Sequence, residues 1–183
     1  MTDFTQYCKS ASDLLDHLKI KEIPIDVQSV AEKLEIKIND DLPIDSDIVG
    51  ELTFNNGLPI IRINPAQNQY EQRRRFTIAH EIGHRCLHSS ESKKGFRDSR
   101  KSMSRTESYW DSKEYEANNF AAELLMPSSE IYSIGKHIIK AYKDAAGAKK
   151  IPISVFTGTM AQKFQVSNKA MEYRLKNLRI LRN

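Results

Sequence analysis

Between residues 10 and 36 the apolar positions recur at helical spacing. In "SASDLLDHLKI" (10–20) they mark a short amphipathic helix. In "IPIDVQSVAEKLEI" (23–36) Val27, Val30, Ala31 and Leu34 share one stripe, and Asp26 stands where it can cap the helix start. The period then falls to two. "EIKIN" alternates, "IVGELTFN" and "LPIIRIN" are strand-like, and the "NNG" between the last two signals a hairpin. The first third of the chain thus predicts two helices and a small, mostly antiparallel three-stranded sheet.

Helical spacing returns from Gln69 to about His88. The next stretch, "SSESKKGFRDSRKSMSRTES" (89–108), is Ser-rich and basic with no apolar period, and it reads as a mobile loop or a lid over a cleft. "DSKEYEANNFAAELLM" (111–126) is a helix that stops at Pro127. "SSEIYSIGKHIIKAYKDA" (128–145) is another, weakened by Gly135, and the tail from Ser154 to Leu181 reads as two short helices. The fold class is α+β, with a main domain over residues 1–150 and a small helical, helix-turn-helix-like part over 151–183 packed on it.

Composition narrows the class. The chain has 183 residues, 39% hydrophobic and 28% charged, which suits a soluble globular protein with one main core. No apolar run reaches the roughly 18 residues that cross a bilayer, so no membrane partner is expected. The start, "MTDFTQYCKSASDLLDHL", has no basic segment followed by an apolar one, and the two cysteines, Cys8 and Cys86, form no framework. Both features predict a reducing, cytoplasmic setting. The net charge of +4 is uneven. Arg62–Arg105 holds eleven Lys/Arg against four Asp/Glu, and Gly158–Asn183 holds six against one. Such stretches suit nucleic acid, an acidic partner or solvated faces.

The chemistry begins at "RRRFTIAHEIGHRCLH" (73–88), which contains His80-Glu81-Ile82-Gly83-His84. On a helix, residues i and i+4 stack about 6 Å apart on one face, so two imidazoles can reach one tetrahedral zinc. Glu81 is turned about 100° from His80, beside the metal without binding it, where it can act as general base. Gly83 leaves room for another element. His88 repeats the spacing but lies about 12 Å and about 80° from His80, too far to share an ion. It is assigned instead to the helix end, behind the ligands. Cys86 points away from the stripe and is read as a small buried residue.

The third ligand must come from elsewhere. The helix at 111–126 offers Asp111, Glu114 and Glu116. With Glu114 at 0°, its apolar stripe centres at about 310°. Glu114 is then about 50° from that centre and Glu116 about 110°. Glu114 lies at the edge of the buried face, and Glu116 on the outer face with Asn119. Asn118, one turn after Glu114, shares its edge and could hydrogen-bond a ligand. A rim carboxylate paired with Arg or Lys is the other reading of Glu114.

"RFTIAHEIGHRCLH" together with "EYEANNFAAELLMP" resembles the ImmA/IrrE-type metallopeptidases, a zincin-like family of phage and mobile-element regulators. "IPIDVQSVAEKLEIKI", "VGELTFNNGLPIIRIN" and "FQVSNKAMEYRLKNL" resemble the same family, so the likeness covers roughly residues 10–182. The resemblance implies that His80, His84 and Glu114 bind Zn2+ and that Glu81 is the catalytic base. It also implies an endopeptidase that cleaves a transcriptional repressor, often a helix-turn-helix protein. Many members carry an N-terminal helix-turn-helix. None is seen here, so the repressor is expected to be encoded separately.

The tail bears on a competing reading. "MAQKFQVSNKAMEYRL" fits a helix-turn-helix spacing, with Gln165 where a turn glycine is usual. Lys163, Lys169, Arg174, Lys176 and Arg179 supply charge for phosphates and a weak nucleic-acid contact. The same helices could instead pack on the metal-bearing part, with Arg174-Leu175 at the seam. The alternatives to a peptidase are therefore a DNA-binding regulator or a non-cleaving antirepressor with a structural metal. For the oxyanion partner Tyr109, Tyr115, Tyr173 and Arg174 stand unranked, and the ligand set would also accept Mn or Fe.

Overall fold

The computed structural model describes residues 9–88, the backbone of 96–99, and residues 112–181. The first helix, α1 (Ala11–Leu18), starts where the Ser10 side chain accepts a bond from the Asp13 amide, and it buries Ala11, Leu14 and Leu15. It ends at Lys19, whose left-handed φ of 56° turns the chain away. In α2 (Val27–Lys33) the Asp26 carboxylate accepts from the Gln28 and Ser29 amides, which is the predicted cap.

Three strands follow: β1 (Lys37–Asn39), β2 (Ile48–Asn55) and β3 (Leu58–Ile63). β2 and β3 form an antiparallel hairpin closed by the Asn55–Leu58 pair. Asn56 and Gly57 turn it with φ of 50° and 81°, the left-handed pair that a tight hairpin turn demands. β1 lies on the far side of β3 and parallel to it. The sheet has one strand more than predicted. β4 (Phe96–Ser99) adds antiparallel to β2, giving the order β1-β3-β2-β4. It falls inside the segment expected to be a loop. "FRDS" has no apolar alternation of its own, and the open edge of β2 supplies its partner. The rest of that segment, with its reading as a lid, lies outside the described residues.

The helix α3 (Glu71–Leu87) crosses this sheet and packs on β2 and β3. The turn before it fixes its seat. Asn68 donates to the carbonyls of Val49 (2.9 Å) and Asn64 (2.8 Å), and the Thr77 hydroxyl donates to Asn68 Oδ1 (2.7 Å). Both asparagines are buried and satisfied, so these bonds tie α3 through Asn68 to the backbone of β2. The helices α4 (Ser112–Leu125) and α5 (Ser128–Ala146) follow, and Gly135 does not interrupt α5. A Cβ there would stand 3.3 Å from the Phe156 ring, so the missing side chain makes room for the next helix.

The tail forms α6 (Ile153–Phe164) and α7 (Asn168–Asn177), joined through Gln165 at φ 52° and capped by Ser167. Met160, Phe164, Met171 and Leu175 enter the same apolar cluster as Leu14, Val30, Ile61 and Ile82. Two arginines stitch the tail down. Buried Arg75 of α3 donates to the Gln165 (3.2 Å) and Phe164 (3.4 Å) carbonyls, and Arg174 Nε donates to the Met126 carbonyl (3.0 Å). Burial pulls the Arg75 guanidinium below its ordinary value, while Glu71 and Asp26 pull it back. Among the tail's basic residues, Lys176 pairs with Glu172 (2.8 Å) and Lys169 lies over the Tyr173 ring.

Candidate metal centre

The α3 helix presents three groups, two of them against neighbouring elements and one between those elements. Going round its axis from Glu81, the His80–His84 stripe lies about 80° away and Gly83 about 160° away in the same sense. Glu81 faces β2: a Cβ on Gly50 would stand 2.6 Å from Glu81 Oε1 and 2.6 Å from Thr77 Cγ2. Gly83 faces α4: a Cβ there would stand 3.2 Å from Ala117 Cα and from its carbonyl oxygen. The histidine stripe therefore opens between β2 and α4. Glu114 enters from α4, one turn before Ala117.

The three side chains meet. His80 Nε2 and His84 Nε2 are 3.1 Å apart, and Glu114 places Oε1 3.2 Å from His84 Nε2 and Oε2 3.4 Å from His80 Nε2. All the ligand atoms lie within 4.8 Å of one another. Both imidazoles are fully buried and Glu114 is 13% exposed. The donor set fits a divalent cation. Two nitrogens on one tetrahedral zinc lie about 3.3 Å apart, close to the spacing seen. Two imidazole nitrogens and a carboxylate facing one point also crowd lone pairs together, which a cation relieves.

The remaining predicted residues are placed as follows. Glu81 is fully buried against Gly50. Asn118 is buried one turn after Glu114 on α4. His88 caps the C-terminal end of α3, with its Nδ1 3.1 Å from His84 Nδ1 and its Nε2 3.0 Å from Glu116 Oε2. Glu116, expected to be solvated, is 55% exposed yet reaches His88. Of the oxyanion candidates, Tyr109 lies outside the described residues, Tyr115 is exposed, and Arg174 holds the Met126 carbonyl. Cys86 is buried.

Sequence reasoning passed over Gly50 and Arg75. A glycine inside a strand signals close approach of another element, so "IVGEL" held the clue for Gly50. Nothing local marks Arg75, because its acceptors lie about ninety residues away.

Two imidazoles and a carboxylate brought together by two packed helices could hold a divalent metal, a donor set that metal-dependent hydrolases use. A family model for the IrrE N-terminal-like domain, a family of metallopeptidases, matches residues 31–176. The match spans most of the sequence, and the chain belongs to that family. No curated protein matches the chain.

Proposed function

We propose that the chain is a zinc-dependent endopeptidase of zincin-like build that cleaves one regulatory protein, a separately encoded helix-turn-helix repressor. The meeting of His80, His84 and Glu114 carries this reading. These three would hold the metal, and Asn118 would steady Glu114 from the next turn. A divalent metal supplies Lewis acidity there, raising the reactivity of water and of the scissile carbonyl. Glu81 accepts the proton of the attacking water and hands it to the leaving amine. Its burial against β2 fixes the carboxylate before substrate arrives. Among the described residues β4 pairs only with β2, so an extended substrate has a sheet edge to join. Residues 151–183 act as support in this scheme, since Arg75 and Arg174 bind them to the rest.

The test is cleavage itself. Zinc-loaded protein is mixed with candidate helix-turn-helix repressors, and fragments are read by mass spectrometry. Wild type cuts, and Glu81→Gln retains zinc but does not cut. Undiminished cutting by Glu81→Gln removes Glu81 as the base. Tight binding of intact repressor by both forms makes the chain an antirepressor. Salt-dependent duplex binding that ignores a chelator makes it a DNA-binding regulator.

A further inference from the structure

His84 is engaged at both ring nitrogens, by Glu114 of α4 at one and by His88, at the end of α3, at the other. Its Nε2 faces Glu114 Oε1 at 3.2 Å. Its Nδ1 faces His88 Nδ1 at 3.1 Å, and His88 Nε2 reaches Glu116 Oε2 at 3.0 Å. The row passes from a half-exposed carboxylate through a 7%-exposed ring to a fully buried one.

Proton bookkeeping along the row has one solution with neutral rings. An ionised Glu116 only accepts, so His88 Nε2 carries a hydrogen and donates it. The other nitrogen of a neutral His88, Nδ1, is then a lone pair, so it accepts. His84 Nδ1 must therefore carry the hydrogen that closes the 3.1 Å contact. That leaves the lone pair of His84 on Nε2, turned toward His80 and Glu114. The carboxylate at the rim thus decides which nitrogen of a buried ring is available to a metal.

We propose that His88 and Glu116 are positioning residues that hold His84 in its Nδ1–H tautomer and so set the metal affinity of the centre. This rests on His80, His84 and Glu114 being a metal site. The geometry separates the row from an ordinary surface ion pair, which contributes little, because its inner end is a candidate ligand.

The test uses the full chain and zinc in competition with a chromophoric chelator, beside thermal unfolding of the metal-free protein. His88→Phe fills the volume but offers no acceptor, and zinc affinity should fall about 10- to 100-fold. His88→Asn restores an acceptor near the Nδ1 position and should recover much of that loss. Glu116→Ala, at an exposed site, should weaken zinc while leaving the metal-free melting temperature unchanged. In nitrogen-edited spectra of the zinc-loaded protein, the His84 Nδ1–H signal should be sharp in wild type and exchange-broadened in His88→Phe. Wild-type zinc affinity in His88→Phe and Glu116→Ala overturns the proposal, as does a loss confined to metal-free stability. A wild type that binds no zinc overturns the metal site itself, and the proposal with it.

Discussion

Gly83 gives the sharpest test of how the fold builds the centre. It sits in the middle of α3, where replacing glycine by alanine ordinarily gains about 1 kcal/mol in helix propensity. Here the added Cβ would lie 3.2 Å from Ala117 Cα and oxygen and 3.3 Å from Phe120 Cβ. Relaxed carbon contacts need about 3.5–4.0 Å, and two of these neighbours are backbone atoms that cannot rotate aside. The helices must therefore separate by a few tenths of an ångström. Overpacking of this kind costs about 1–3 kcal/mol, which cancels or exceeds the propensity gain. Gly83→Ala should come out between neutral and about 2 kcal/mol less stable, a drop of up to about 8 °C for a chain of this size. Gly83→Val, with two more carbons in the same gap, should lose more. Because Glu114 rides on α4 one turn from Ala117, both substitutions should also weaken zinc, Gly83→Val by about tenfold or more. Calorimetry in chelator reads the first effect and competition titration the second. A Gly83→Val protein that melts no lower than wild type and binds zinc equally well would refute the close crossing as the device that delivers Glu114.

Gly50→Ala should act on the other side of α3. The new methyl would displace the Glu81 carboxylate, so zinc affinity should hold while repressor cleavage falls about a hundredfold, and equal turnover would count against the placement of Glu81. Arg75→Met keeps the buried stem but removes both bonds to the end of α6, and should cost about 2–4 kcal/mol, read as a melting point lower by about 5–15 °C. An unchanged melting point would mean that the tail is held by its apolar contacts alone.

Asp26 and Asn56-Gly57 are visible in the sequence because capping and tight turns are settled within a few residues. His80, His84 and Glu114 could be picked out for a related reason: helical geometry says which side chains share a face before any partner is known. What stayed hidden depends on distant chain. β4 exists because β2 has an open edge, and "FRDS" carries no trace of that. The wheel placed Glu116 on the outer face of its own helix, and it does lie there. A wheel for α4 cannot show that the end of α3 brings His88 within 3.0 Å of it. Gly50 looked like any strand residue until a helix crossed it.

The Arg75 contact also bears on how freely this chain can exchange parts. A guanidinium buried in α3 finds its acceptors at the Phe164 and Gln165 carbonyls, on the far side of any cut placed near residue 150. A graft of a foreign tail at that point would inherit a cation without its acceptors unless the new segment ended a helix at the same spot. The last thirty residues are therefore poor material for a cassette, and recombination among related chains should conserve the pairing of arginine and helix end as a unit.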